Sequence, residues 1–195
     1  MAKIHLDIDD TLADTTTAFI NYMEAVHDVK ITRDVLKMHA YNEILFEIVG
    51  KNIDFFREFE KSEHHSNILP NKNADKIISL LAKKNELIVI SGRSLNLKDK
   101  TKEWVNKYFP NCISQIHLVN QYPREDEEKT PLKKHELCKE LDCSLSIDDD
   151  PNLALKLSEL GVKVILFTQP WNKNINLNGS IKRINSWDEV PKLLK

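Results

Sequence analysis

Glycine is scarce in this chain. Four glycines in 195 residues (Gly50, Gly92, Gly161 and Gly179) stand where average usage would supply about fourteen. They leave no room for a GxGxxG turn or a Walker-type phosphate loop. If the protein handles phosphate, something other than a glycine-rich cradle must neutralise it. Cysteine is sparse as well: Cys112, Cys138 and Cys143 are odd in number and lack paired zinc-ligand spacing. They read as small apolar fillers in a reducing compartment. No apolar run approaches the roughly 20 residues of a membrane span. The opening MAKIHLDIDDT meets acidic residues too early for a secretory leader. An excess of one charge is also missing, since 28 Lys and Arg face 30 Asp and Glu. Bulk attraction to a nucleic acid polymer or an anionic membrane is therefore excluded. The expectation is a cytoplasmic protein without nucleic-acid or membrane partners, and a homodimer is compatible with it.

What is present is ordinary globular material, 41% hydrophobic and 30% charged. A chain of this length buries roughly 70% of its unfolded surface, so it needs neither disulfides nor a structural metal. Apolar runs recur at intervals. Residues 4–8 alternate with polar neighbours, while Leu87, Ile88, Val89 and Ile90 form a continuous run typical of a strand buried on both faces. Residues 116–119, 144–147 and 162–167 look similar. Helical patterns lie between them. Asn73 is placed to cap a helix running to Lys84 with Ile77, Leu80 and Leu81 on one face, and residues 98–109 carry Trp104, Val105 and Tyr108 at helical spacing. Pro151 suits a first helical turn and Gly161 a stop. Strand–helix alternation with short links predicts an α/β fold, a Rossmann-like parallel sheet covered by helices on both faces.

Residues 14–70 break that rhythm. Phe19, Tyr22, Met23 and Val26 fall at i, i+3, i+4 and i+7, and Phe55, Phe56 and Phe59 suggest another helix before Pro70. The division expected is an α/β core of residues 1–13 and 71–195, with a small helical cap domain, 14–70, inserted after the first strand and lying over the sheet's carboxyl edge. Aromatic faces in the cap (Phe19, Tyr22, Tyr41, Phe46, Phe55, Phe56 and Phe59) are mostly core by their spacing, with one or two expected to reach a pocket and stack on a base. His64 and His65 are adjacent, cannot chelate from one helical face, and read as a solvated loop.

The strand ends carry the chemistry. The first runs into Asp7-Ile8-Asp9-Asp10-Thr11, the second into Ser91-Gly92-Arg93, and a later one into Asp148-Asp149-Asp150-Pro151. Ligands of open α/β sheets bind beyond the carboxyl ends of strands, so these tips would crowd five or six carboxylates into one crevice. Uncompensated, they repel by several kcal/mol. An all-oxygen donor set without His or Cys suits Mg2+. In an extended segment Asp7 and Asp9 point the same way. One can attack phosphorus while the other, kept protonated by its like-charged neighbour, acts as general acid. Asp150 reads as the cap of the helix that Pro151 begins.

The order DIDDT (7–11), a hydrophobic strand ending in Ser91, a downstream lysine and IDDD (147–150) resembles the four motifs of haloacid dehalogenase (HAD) superfamily phosphatases over roughly residues 3–168. The tail, LFTQPWNK at 166–173 and RINSWDEV at 183–190, together with WVNKYF at 104–109, is similar to the 5′(3′)-deoxyribonucleotidase family and its bacterial relatives. The resemblance implies an Mg2+-dependent phosphomonoester hydrolase acting on small nucleotides. Asp7 would be the nucleophile and Asp9 the acid and base. Metal would be held by Asp7, the Asp9 carbonyl and Asp149, with Asp148 nearby, and Ser91 and Gly92 would contact phosphate. The family's animal enzymes carry a second hydroxyl and a proline where Gly92 and Arg93 stand. Lys129, Lys133 and Lys134 all precede the Asp148 strand. Lys134, in KHELC, stands where bacterial relatives place their phosphate-neutralising lysine, and the EDEEK run at 125–129 reads as an exposed turn and helix start. A sugar phosphate or other phosphometabolite is the alternative substrate. A phospho-aspartate receiver is the alternative of another class, although receivers lack an insertion after the first strand.

Overall fold

Short β-branched runs become the strands of one sheet. The computed structural model describes residues 1–36, 41–51, 53–127, 129, 132–177 and 179–194, apart from the side chains of residues 41 and 42. The strands are β1 (Ala2–Leu6), β2 (Asn85–Ser91), β3 (Gln115–Leu118), β4 (Leu145–Asp148), β5 (Lys163–Phe167) and β6 (Ile181–Ile184). All pair in parallel, in the order β3-β2-β1-β4-β5-β6. β6 was not legible in the sequence. In IKRI the two buried residues are the first and last, which is not the period of two that marks a half-buried strand.

Around the sheet run α1 (Thr15–His27), α2 (Tyr41–Val49), α3 (Phe55–Lys61), α4 (Glu63–Ser66), α5 (Ala74–Ala82), α6 (Lys98–Tyr108), α7 (Lys134–Glu140), α8 (Pro151–Glu159) and α9 (Val190–Leu193). β2 explains the two-sided core. Leu87 and Val89 join one apolar cluster with Phe19, Ile78 and Trp187, while Ile88 and Ile90 join another with Leu137, Leu153 and Leu157. Cys138 and Cys143 fill that second cluster, and Cys112 is half-buried. His5 is wholly enclosed, with Nδ1 2.8 Å from the Ser146 hydroxyl and Nε2 3.0 Å from the Ile90 carbonyl. Burial, helped by the Lys134 charge, pushes its pKa down to about 4.

Two helical faces differ from expectation. In α5 the buried set is Ala74, Ile77, Ile78 and Leu81, an i, i+3, i+4, i+7 stripe that turns Leu80 outward. Asn73 sits before α5 in a left-handed conformation and makes no cap bond. Its amide instead reaches Asp188. In α1, Phe19, Tyr22 and Met23 are buried but Val26 is exposed, because the helix ends one residue later at His27 with Asp28 in the left-handed region.

The inserted helices leave and rejoin the sheet at one place. Ala13 bridges Pro70, the Asp14 N–H donates to the Leu69 carbonyl at 2.9 Å, and the Asn71 N–H donates to Leu12 at 2.8 Å. Within them, His64 and His65 are not a solvated loop. They belong to α4, where His65 is buried against Phe59 and His64 packs edge-on to Tyr22.

Candidate active site

The sheet order places the site. β2 and β3 extend to one side of β1, and β4, β5 and β6 to the other. The order reverses between β1 and β4, where an open α/β sheet forms its ligand crevice. The Asp7 N–H continues the pairing by donating to the Ile147 carbonyl at 3.0 Å. Asp7 and Asp148 therefore leave the sheet side by side. Asp7, Asp148 and Asp149 each bring a carboxylate oxygen within 4.8 Å of the others, all buried.

Among the described residues, one cation answers these three acids. Lys134, buried in the first turn of α7, sets its Nζ 2.6 Å from Asp7 Oδ1 and 3.2 Å from Asp148 Oδ2. Lys133 and Lys129 are exposed. When all three are ionised, they exceed this ammonium by two negative charges among the described residues. Burial, reinforced by the charges of Asp148 and Asp9, raises the Asp7 carboxyl to about 7 despite Lys134. Burial and carboxylate crowding likewise push Asp148 and Asp149 upward. Lys134 is held firmly charged by Asp148 and Asp7 even though burial opposes it. An oxygen-only cluster two positive charges short fits a hard divalent cation.

Asp9 faces a different partner. Its carboxylate accepts two bonds from the buried Arg93 guanidinium, from Nε at 2.9 Å and Nη2 at 2.7 Å, and one from the Thr15 hydroxyl at 2.6 Å. Burial alone would raise this acid, but the Arg93 charge and hydrogen bonds, aided by Thr15, hold it at about 2. The expectation that a like-charged neighbour keeps Asp9 protonated therefore does not hold in this arrangement. A bidentate guanidinium outweighs Asp7. Asp10 turns the loop with φ of 56°, a left-handed residue that a short polar side chain tolerates. Its carboxylate accepts from the Thr16 N–H and hydroxyl and from Arg33. Asp150 caps α8 by accepting from the N–H groups of Asn152 and Leu153.

A cavity of about 370 Å³ opens over these tips, and all six aspartates of the two acidic motifs line it. Gly92 is on its wall, and a Cβ there would meet the Gln121 side chain at 3.2 Å. Ser91 is fully buried at the end of β2, its hydroxyl accepting from the Arg93 N–H at 3.3 Å, and is not among the lining residues. Of the aromatics in residues 14–70, Phe56 lines the cavity, Phe19, Tyr22, Phe55 and Phe59 are core, and Phe46 is exposed. The Tyr41 side chain lies outside the described residues.

Sequence reasoning missed Arg93, Arg124, Tyr122 and Trp171, all lining residues. Arg93 stands two residues beyond Ser91, a strand-end position that is the signal by which sequence reasoning could have found it. Residues 125–127 of EDEEK bend in a turn that is tied to the inserted helices: Asp126 pairs with Arg57, and Glu127 with Arg124, which also binds Asp54 at 2.7 Å and Glu60 at 3.0 Å.

All 195 residues match the family described as 5′ nucleotidase, deoxy (pyrimidine), cytosolic type C protein. The chain belongs to this family. Among curated proteins, a nucleotidase of Clostridium acetobutylicum is 26% identical over 188 residues, covering 96% of this chain and 91% of its own length. Among solved structures, a haloacid dehalogenase-like hydrolase of Streptococcus pneumoniae superposes with a TM-score of 0.69 at 13% identity, covering 100% of this chain and 99% of the other. A HAD-superfamily hydrolase of Geobacter sulfurreducens gives 0.65 at 16% identity, covering 100% and 97%. As a member of the nucleotidase family on a HAD fold, the chain is a phosphatase, and the receiver alternative falls.

Proposed function

We propose that this nucleotidase-family phosphatase is an Mg2+-dependent phosphomonoesterase of small nucleotides, working through an aspartyl-phosphate on Asp7. The observation that carries the reading is the meeting of Asp7, Asp148 and Asp149 within 4.8 Å. Lys134, 2.6 Å from Asp7, lies at the floor of a cavity with aromatic walls. Asp7, Asp149 and Asp148 would hold the metal, with the Asp9 carbonyl completing the protein ligands. When bound, the ion supplies charge neutralisation for the phosphoryl oxygens. A Bacillus subtilis neighbour on this fold, with a TM-score of 0.65 and 12% identity over 100% of this chain and 98% of that one, is described as bound to magnesium.

An Asp7 oxygen attacks phosphorus, and the bond from phosphorus to the substrate oxygen breaks with its electron pair on that oxygen. Asp9 delivers the proton the leaving oxygen needs. Water then attacks the aspartyl-phosphate while Asp9 takes its proton, and the Asp7 carboxylate is regenerated. Because Arg93 holds Asp9 ionised at rest, Asp9 becomes a proton donor only after leaving the guanidinium and taking up a proton from solvent water. An arriving phosphate dianion gives Arg93 a substitute partner of matching fork geometry. Lys134, held charged, neutralises the equatorial oxygens in the transition state. Gly92, on the cavity wall at the β2 end, adds a phosphate contact, and Ser91 beneath it braces the loop through the Arg93 N–H.

The helices of residues 14–70 act as the cap. Phe56 from the cap and Tyr122 and Trp171 from the core offer faces for a nucleobase, each worth about 1–3 kcal/mol when a base stacks. They favour a nucleotide over a sugar phosphate. Phosphate release with Mg2+ from a panel of nucleoside monophosphates and sugar phosphates tests this. Nucleotides should be turned over at base-dependent rates, and Asp7→Asn should lower kcat on the order of 10⁴-fold or more. Equal rates on sugar phosphates would remove the nucleotide assignment, and activity surviving Asp7→Asn would remove the nucleophile.

A further inference from the structure

Beyond the acids themselves, the segment after β5 is built to hold one of them. Asn172 is fully buried, and its amide donates to the Phe167 carbonyl at 2.7 Å and to the Asp149 carbonyl at 2.8 Å. Its side-chain oxygen accepts from the Gln169 N–H at 3.1 Å and from Arg183 Nη1 at 2.7 Å. This lock fixes the neighbouring Trp171, whose indole N–H donates to Asp149 Oδ2 at 2.9 Å from the cavity wall. An indole has one donor and no acceptor, so the contact ties back Oδ2 of Asp149 alone.

That tie has a consequence for metal choice. Mg2+ takes single oxygens in a tight octahedron at about 2.0–2.1 Å, whereas Ca2+ takes about 6–8 oxygens and readily accepts a carboxylate through both. A carboxylate with one oxygen tied back is a poor bidentate ligand. We propose that Trp171 is a positioning residue that keeps Asp149 monodentate and so biases the cluster toward Mg2+ over Ca2+. The inference rests on Asp149 being a metal ligand, as in the proposed function. Trp171 touches the ligand and acts through it.

The test is calorimetric titration of the full chain with Mg2+ and, separately, Ca2+, in the wild type and in Trp171→Phe, which keeps a ring and removes the N–H. Loss of such a supporting partner weakens metal binding by about 10–100-fold. In Trp171→Phe, Mg2+ should weaken by about tenfold while Ca2+ holds or tightens, so the Mg2+ to Ca2+ preference falls. An unchanged preference overturns the proposal. A second readout uses emission. Trp171 bonds a carboxylate of the cluster, whereas Trp104 and Trp187 are buried and donate to the carbonyls of Ile68 and Thr11, so the main metal-induced change in tryptophan fluorescence is expected from Trp171. It should vanish in Trp171→Phe, and its full persistence there overturns the proposal. If that variant fails to fold, the wild-type emission decides: Mg2+ and Ca2+ should shift it differently, and identical responses overturn the proposal. Wild-type protein that binds no Mg2+ removes the metal reading together with this one. Binding with an unaltered preference in the variant removes this one alone.

Discussion

The strand tips and the helical roof above them are both rich in ion pairs, but the pairs are of different kinds. At the tips, Asp7, Asp148 and Lys134 are almost wholly buried, and the main chain fixes where they stand, through the β1–β4 pairing and the first turn of α7. In the roof, Arg124 and Arg57 hold Asp54, Glu60 and Asp126 with side chains that solvent still reaches. Charges in the first group are screened little, and breaking a pair strands the survivor. Charges in the second have water as an alternative partner. In the proposed function, the chemistry is set by the sheet, and access to it by contacts that are cheaper to rearrange.

The largest break in that comparison is Lys134→Met. Removing one partner of a buried pair costs about 3–5 kcal/mol, so the variant should lose stability of that order at pH 8, where the carboxylates it strands are most charged. Asp7, already raised to about 7, rises further without the lysine. At pH 5 the cluster takes up protons and the cost should shrink. Urea unfolding at the two pH values measures this, and a cost independent of pH would mean that Lys134 is not the counter-charge. Activity should also fall by about 10²–10³-fold.

His5 gives the next effect. Its folded pKa of about 4 lies below the ordinary value of 6.5. Between those values the unfolded chain binds a proton that the folded chain refuses, so His5 contributes stability above pH 6.5 that is lost as pH falls toward 4. The span is worth about 3 kcal/mol. Since Asp7 and Asp10 are raised, to about 7 and about 6, they act in the opposite sense over part of this window. The comparison must therefore be with His5→Asn. The stability gap between wild type and variant should narrow from pH 7 to pH 4, and a constant gap would break the prediction.

The strand tips were legible because they depend on local pattern. Recurring apolar runs, three of them ending in acids or Ser91, imply a parallel sheet, and a parallel sheet implies that its tips converge. Choosing Lys134 among three lysines needed the family's spacing, while its burial beside Asp7 is a tertiary fact. Arg93 was visible in the sequence, but its pairing with Asp9 was not. Eighty-four residues separate them, and only the β1–β2 register brings the two loops together. Trp171 was hidden for the same reason, since its bond to Asp149 spans 22 residues and depends on the Asn172 lock. His65 misled because adjacent polar residues usually face water, whereas here a turn of α4 folds one of them under Phe59.

The smallest effect is also the one that best separates the two regions. Arg124 joins Asp54 and Glu60 of the roof to Glu127 of the loop below at 2.7, 3.0 and 3.2 Å. Each contact is partly exposed and worth at most about 1 kcal/mol. Arg124→Ala should therefore cost about 1–2 kcal/mol in total, raise KM several-fold for a nucleotide and leave kcat within about twofold, because nothing in the Asp7–Lys134 cluster moves. Raising salt to about 0.5 M, where charges are screened beyond roughly 4 Å, should push the wild type toward the variant's KM but change the variant little. Steady-state rates at low and high salt decide it. A kcat that falls as it does in Lys134→Met would mean that the roof and the strand tips act as one unit, and the distinction between access and chemistry would fail.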